Sequence, residues 1–296
     1  MLLLKLLVRK RLDMKDRGLL FAFISAVLIA TSLIWSRLIL GSTNPETGAL
    51  IYFGTGALLS VIFLFVTGDI KKLKIFVRYK NIIIIFGIIH GISALLFFYS
   101  VSVIGPSLTG FLLKLETLLS VIFGVLLLKE RLTKFETAGA AVAILGAFLI
   151  FFRFDMTLAI GAIYAVMLAT FVGITNLISK KYIKQIEPMA MNAFRMIFIV
   201  VTLLPYALLT GSLQIPNSNV LLYSTVGAFI SAVIGITFFY KALQRASLSK
   251  VMIVRTLEPL FVVIYAFFVF SELLGIMQLA GGALIVVGTS LLFVKK

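Results

Sequence analysis

The chain has 296 residues, of which 61% are hydrophobic and 13% are charged. This balance excludes an ordinary soluble domain, which needs far more polar surface to stay dissolved. A net charge of +16 would indicate a nucleic-acid partner in a soluble protein. Here the basic residues fall in short stretches between apolar segments, so we interpret them as determinants of membrane orientation and expect no nucleic-acid partner. Cysteine is absent, which excludes a disulfide framework and a cysteine nucleophile.

Ten apolar segments follow one another with short connections. Each is roughly 20 residues long, the length at which a helix crosses a hydrocarbon core of ~30 Å. The predicted fold class is therefore all-α and integral to the membrane, with ten transmembrane helices. The predicted spans are 18–39, 46–67, 81–100, 106–128, 135–152, 159–179, 188–210, 220–240, 248–270 and 275–294.

The distribution of lysine and arginine predicts the orientation of the chain. With the amino terminus inside, 22 of the 27 basic residues lie in inner segments and two, Arg37 and Arg153, lie outside. The other three, Lys114, Arg195 and Arg255, lie within spans. Because such asymmetry over short loops sets membrane orientation, we predict a multi-pass protein of the plasma membrane with cytoplasmic N- and C-termini.

The basic segment 1–17 precedes the first predicted span. Its apolar stretch is broken at Lys5 and its charges follow that stretch, so the segment does not resemble a secretory signal. We expect a cytoplasmic segment that lies on the membrane surface. A start of translation at Met14 is the alternative.

The two halves of the chain resemble each other at a nearly constant spacing, first 143 and then 142 residues. Each half contains five spans, so equivalent helices must cross the membrane in opposite directions. We therefore predict two inverted repeats, 18–152 (spans 1–5) and 159–294 (spans 6–10). In secondary transporters such repeats rock about a binding site at the midplane. Matched pairs include Gly18–Gly161, Pro45–Pro188, Glu116–Glu258, Glu130–Glu272 and Gly146–Gly288.

Two stretches carry a resemblance to a known family: LEPLFVVIYAFFVFSELLGIMQLAGGALIVVG (257–288) and LETLLSVIFGVLLLKERLTKFETAGAAVAILG (115–146). Both resemble the EamA-type family of the drug/metabolite transporter superfamily, and the resemblance covers nearly all of the chain. Thr117 stands where Pro259 sits in the second half, which leaves open whether the fourth helix kinks as the helices of family members do. The resemblance implies a carrier of small metabolites, with export as the favoured direction and facilitated diffusion as the alternative. The mixture of cations and carboxylates within the spans favours a zwitterion or an organic anion as substrate, with an amino acid or a related metabolite as the leading hypothesis.

Ionisable side chains within spans are the functional candidates, because charge at that depth costs ~2.5–3.5 kcal/mol on insertion scales and usually faces a partner or a wet cavity. Glu116 and Glu258 occupy equivalent positions near the middles of spans 4 and 9. We expect them to converge on a central cavity and to bind a substrate ammonium or exchange a coupling proton. The alternative is structural: each carboxylate satisfies backbone donors near a kink or pairs with an arginine.

Three cations accompany these carboxylates. Arg255 lies three residues before Glu258, on the same helix face, and either pairs with it or clamps a substrate carboxylate or phosphate. Lys114 lies about 200° around a helix from Glu116, which argues against a simple pair on one face. Arg195 is the other anion-binding candidate, and its alternative is to snorkel to the cytoplasmic interface.

Three polar residues complete the predicted site. Tyr52 occupies the position equivalent to Arg195, and Asn176 lies in the middle of span 6. His90, the one histidine, is either a hydrogen-bonded packing residue or a proton relay. The predicted substrate-binding or coupling residues are Glu116, Glu258, Arg195, Arg255, Lys114, His90, Asn176 and Tyr52.

Missing motifs narrow the function further. No G-x-x-x-x-G-K-[ST] loop occurs, and a single histidine without cysteine cannot assemble a zinc site. We therefore expect a protein that is not an enzyme, with no metal and no cofactor. The expected partners are a small-molecule substrate, protons as a candidate coupling ion and the lipid bilayer, in a monomer or homodimer. A secondary transporter is the first hypothesis, and a passive channel or a non-transporting scaffold is the alternative.

Replacing Glu258 by Gln is expected to weaken substrate exchange far more than replacing Glu272 by Gln. Glu258 is predicted at the midplane, whereas Glu272 is predicted in a water-accessible turn. Exchange in proteoliposomes measures the difference, provided that both variants are folded and inserted. Equal losses would rule out the midplane carboxylate as the functional one.

Overall fold

The computed structural model describes residues 14–119, 134–150 and 156–291, and all regular structure within them is helical. The predicted segment 1–17 lies mostly outside these residues, as do the second part of span 4 and the last residues of spans 5 and 10. The helices are α1 (Met14–Leu40), α2 (Pro45–Val66), α3 (Phe76–Leu113), α4 (Lys134–Ile150), α5 (Met156–Tyr182), α6 (Pro188–Leu209), α7 (Ser218–Arg245), α8 (Leu248–Arg255), α9 (Glu258–Phe270) and α10 (Ile276–Leu291).

In the described residues, seven helices are long and apolar enough to cross a membrane, and two shorter apolar helices lie at 137–149 and 276–291. The chain is thus a multi-pass membrane protein, helical throughout its described regular structure, as predicted. One of the seven, Asp69–Leu113, covers predicted span 3 and the beginning of span 4. Ten transmembrane helices remain a prediction, because the rest of span 4 is outside the described residues.

Helices α2 and α6 begin at equivalent places in the two halves and use the same capping chemistry. The Asn44 side chain accepts a hydrogen bond from the Thr47 backbone N–H at 2.9 Å, and Pro45 occupies the first turn. The Glu187 carboxylate accepts from the backbone N–H groups of the next helix at 2.9 and 3.0 Å, again with a proline in the first turn. Each side chain satisfies donors that a helix start leaves unpaired.

The fourth and ninth predicted spans are both interrupted, at matching positions. The ninth breaks between Arg255 and Glu258, because Pro259 has no N–H and its ring clashes with the carbonyl four residues earlier. The fourth leaves its α-helix at Lys114, whose N–H bonds back three residues to the Phe111 carbonyl. The fourth span is therefore interrupted without a proline, a point that the sequence left open. Lys114 is the repeat equivalent of Thr256, so both breaks fall just before a carboxylate.

A separate change of direction occurs at Gly105, inside α3. Its φ of 77° lies in the left-handed region that favours glycine, and Pro106 follows. This turn separates predicted span 3 from predicted span 4, so residues 76–104 and 106–113 run in different directions although the helix is nearly continuous.

The halves pack through helix pairs that match under the repeat. α2 packs along α6 and α4 along α10, and each is a pair of equivalent helices. α1 packs on α7, and correspondingly α5 packs on α3. Large apolar side chains cover the outside of the bundle, including Leu58, Phe65 and Phe268. This surface suits a hydrocarbon surrounding, and the interior between the halves is left for polar groups.

α4 and α10 approach each other backbone to backbone. A Cβ added at Gly288 would lie 2.5 Å from the Ala143 nitrogen and 2.6 Å from the Gly139 carbonyl oxygen. A Cβ at Gly146 would lie 2.5 Å from the Gly281 carbonyl oxygen. These positions have small residues because membrane helices associate by such close contact.

Replacing Gly288 by Ala is expected to destabilise the protein by about 1–3 kcal/mol, because the new methyl group collides with backbone that cannot rotate away. Gly54→Ala is the matched control: an added Cβ there meets no atom within 4 Å, so no destabilisation is expected. Apparent melting temperature in detergent measures both. Similar melting temperatures for the two variants would contradict the close α4–α10 contact.

Candidate substrate-binding site

A cavity of about 130 Å³ lies between the two halves. Helices from both halves line it, and it contains most of the charged residues that the spans bury. Seven of the eight predicted residues are on its wall: Tyr52, His90, Glu116, Asn176, Arg195, Arg255 and Glu258. The eighth, Lys114, lies directly behind two of them. The structure therefore brings the predicted set together, and what each residue does there remains a prediction.

Lys114 and Glu258 form an ion pair that joins the two halves. The Lys114 Nζ lies 2.9 Å from Glu258 Oε2, and the Arg255 Nη2 donates to the same oxygen at 2.9 Å. The side chains of Lys114 and Glu258 are each 3% exposed. The pairing expected for Arg255 and Glu258 is therefore present, with a second cation added from the other half.

Glu116 lies beside this group, with its Oε2 accepting a hydrogen bond from the Asn176 side chain at 3.2 Å. Lys114 Nζ is 3.9 Å from Glu116 Oε1. The two residues were not expected to form a simple pair on one helix face. They come this close because the chain leaves the α-helix at Lys114, so the helical angle between them no longer applies. The contact is long, and the principal partner of Lys114 is Glu258.

Arg195 stands in the cavity wall and is 6% exposed. The snorkelling alternative is therefore wrong. Its Nε donates to the Asn192 side-chain oxygen at 3.1 Å, and its Nη2 reaches the Ala232 carbonyl oxygen at 3.5 Å. Its guanidinium lies 6.0 Å from the centre of the Phe53 ring. Within the described ranges, no carboxylate forms an ion pair with Arg195.

Asn192 and a π-helical turn in α7 support Arg195, and neither was predicted. The turn covers Ala228–Gly235, and the Asn192 side chain donates to its Ala232 carbonyl at 2.8 Å. Such turns are frequent at functional sites, but they have no clear sequence signal. Asn192 had a signal, because a buried amide three residues before an arginine shares its helix face.

Tyr52 and His90 occupy the remaining polar part of the wall. The Tyr52 hydroxyl is 2.6 Å from the Ser231 hydroxyl, in the same π-helical turn. The His90 ring packs edge-on against the Phe86 ring, with centroids 4.6 Å apart. His90 is thus both a packing residue and part of the cavity wall, and the choice between packing and proton relay remains open.

Glu272 lies away from this cavity. It lines a separate, open pocket of about 580 Å³ with Arg37 and the turn at Gly105–Pro106. This placement separates it from Glu258, as the sequence predicted.

The fold and the buried charges together define a multi-pass membrane protein with an internal polar cavity. The model of the EamA-like transporter family matches residues 16–152 and again residues 159–294. The chain belongs to this family. Membership identifies a membrane transporter and not an enzyme.

Two curated relatives extend over most of the chain. The uncharacterized transporter YyaM of Bacillus subtilis (strain 168) is 24% identical over 261 residues, which is 84% of each protein. An uncharacterized transporter of Clostridium kluyveri is 23% identical over 288 residues, which is 92% of each. Among solved structures, one crystal structure of a protein matches with a TM-score of 0.67 and 17% identity. That match covers 94% of this chain and 97% of the other, and it shows a shared fold.

Replacing Lys114 by Met is expected to destabilise the protein by about 3–5 kcal/mol, because Arg255 alone then faces two buried carboxylates and one negative charge of the group is left uncompensated. Lys72→Met is the control, because Lys72 pairs with Asp69 at 2.8 Å on the surface, where such pairs contribute about 0–1 kcal/mol. Melting temperature in detergent compares them. Adding Glu258→Gln to Lys114→Met should recover part of the loss, and strictly additive losses would argue against a direct pair.

Proposed function

We propose that the protein is a secondary transporter that moves a small polar metabolite by alternating access through the cavity between its halves. An amino acid or a related zwitterion or organic anion is the proposed cargo, carried by export or facilitated diffusion. The proposed setting is the plasma membrane, with both termini cytoplasmic and the repeats 18–152 and 159–294 inverted. Protons are the proposed coupling ion where coupling occurs.

The observation that carries this proposal is a buried polar cavity whose charged groups come from both halves. Lys114 belongs to the first half and Glu258 to the second, and their atoms are 2.9 Å apart. Relative movement of the halves changes such a contact. A substrate that competes for either partner would therefore influence the movement, which is the coupling that a carrier requires.

The interrupted helices support the same proposal. Broken helices at the midplane of transporters expose backbone groups that bind substrate or ions. Here the breaks at Lys114 and between Arg255 and Glu258 adjoin the cavity and lie at equivalent positions. Equivalent breaks and matched helix pairs are what two inverted repeats would produce.

Counterflow in liposomes tests the transport function. Vesicles containing the pure protein are loaded with one unlabelled compound from a panel of amino acids, organic acids, purines and sugars. Uptake of the same labelled compound is then followed. No ion gradient is needed, so the experiment does not depend on the coupling ion. We expect a saturable overshoot for a carboxylate-bearing class.

The matched negative control is protein with Glu258 replaced by Gln, tested after gel filtration shows that it is folded. Uptake without an overshoot, accompanied by steady conductance across a planar bilayer, would instead support the passive channel. Flat traces for the whole panel without conductance would support the non-transporting scaffold.

A further inference from the structure

The charged groups of the cavity divide into two sets. Lys114, Arg255, Glu116 and Glu258 form one cluster, with contacts of 2.9 to 3.9 Å between cations and carboxylates. Fully ionised, these two cations and two carboxylates sum to zero. Arg195 forms the second set. With His90 neutral, the described charged residues at the cavity therefore sum to one positive charge.

Among the residues that the structure describes, the contacts of Arg195 are all with uncharged groups. They are the Asn192 amide at 3.1 Å, the Ala232 carbonyl at 3.5 Å, the Met196 sulfur at 3.7 Å and the ring of Phe53. An arginine this deeply buried is costly without an anion. Its planar fork is suited to receive the two oxygens of a carboxylate.

The described groups that surround Arg195 do not neutralise its positive charge. Tyr52 and Tyr240 present hydroxyls, and His90 presents an imidazole, but none is a carboxylate. Apolar side chains occupy much of the remaining wall, including Phe97, Ile199 and Phe239. As far as the described residues go, the cavity thus combines one cation that no carboxylate balances with a largely apolar wall.

We propose that the cavity selects small organic anions with a single net negative charge, and that their carboxylate binds Arg195. This inference rests on the proposed transport function and decides between the two cargo classes that it allows. A monocarboxylate brings the described cavity charge to zero. A zwitterion leaves it at one positive charge, and its ammonium must compete with Lys114 and Arg255 for Glu258.

Compounds with one carbon skeleton and different charge test the proposal. A 2-hydroxy acid, the corresponding 2-amino acid and the amide of the hydroxy acid compete against the labelled substrate in counterflow. The skeleton is the one that gives the largest overshoot in the panel. We expect the hydroxy acid to compete at least about tenfold better than the amino acid, and the amide to compete least.

Variants at Arg195 assign the preference to this residue. Arg195→Gln should bring the ratio of hydroxy-acid to amino-acid affinity close to one. Arg195→Lys keeps the positive charge but loses the planar guanidinium that can bind both oxygens of a carboxylate, so this variant should retain part of the preference for the hydroxy acid. Arg78→Gln is the control, because Arg78 is exposed and remote from the cavity, and its ratio should equal that of the unchanged protein.

The outcomes separate this inference from the transport function. Transport in which the amino acid competes as well as the hydroxy acid overturns the monoanion preference and leaves the carrier in place. An unchanged ratio in Arg195→Gln, combined with a lower melting temperature, overturns the role of Arg195 and makes it a structural support of α7. Absence of counterflow for every compound overturns the transport function itself.

Discussion

Burying charge in a medium that cannot solvate it is the constraint on which this structure depends. An isolated ammonium or carboxylate in the bilayer interior would be expelled or neutralised, yet two carboxylates and three cations are buried among the residues that the structure describes. Four of them compensate one another through contacts that converge on Glu258 and Glu116. Because Lys114 and Glu258 come from different halves, the same contact that makes burial tolerable also fixes how the halves meet.

Close helix packing and the broken helices give the charges their positions. Close contact at glycine residues joins α4 to α10, and hence the two halves, through backbone atoms. Van der Waals packing stabilises this contact, because the hydrophobic effect does not drive helices together in lipid. The interruptions before Glu116 and Glu258 turn the neighbouring cations toward the carboxylates. The two breaks have different local causes, since only the second is followed by a proline. Because they nevertheless lie at equivalent positions in the two repeats, the place of the break matters more to the fold than the residue that causes it.

Arg195 shows how a polar residue can be supported without being neutralised. Asn192 and the π-helical turn hold its guanidinium with uncharged acceptors. Ser231 of the same turn contacts the Tyr52 hydroxyl. One irregular turn in α7 therefore contacts both Arg195 and Tyr52, which occupy equivalent positions in the two repeats.

The sequence by itself determined the membrane class, the approximate positions of most described helices and the set of buried ionisable residues, because long apolar segments and rare internal charges are properties of local composition. The pairing of Arg255 with Glu258 is also local, because the two lie three residues apart in the chain, and the sequence predicted it as one of two alternatives. Only the tertiary structure decided that Lys114 reaches Glu258 and that Arg195 stays inside the protein. These outcomes depend on where a helix breaks and on which distant helix packs beside it, and neither is encoded in the spacing of residues along one span.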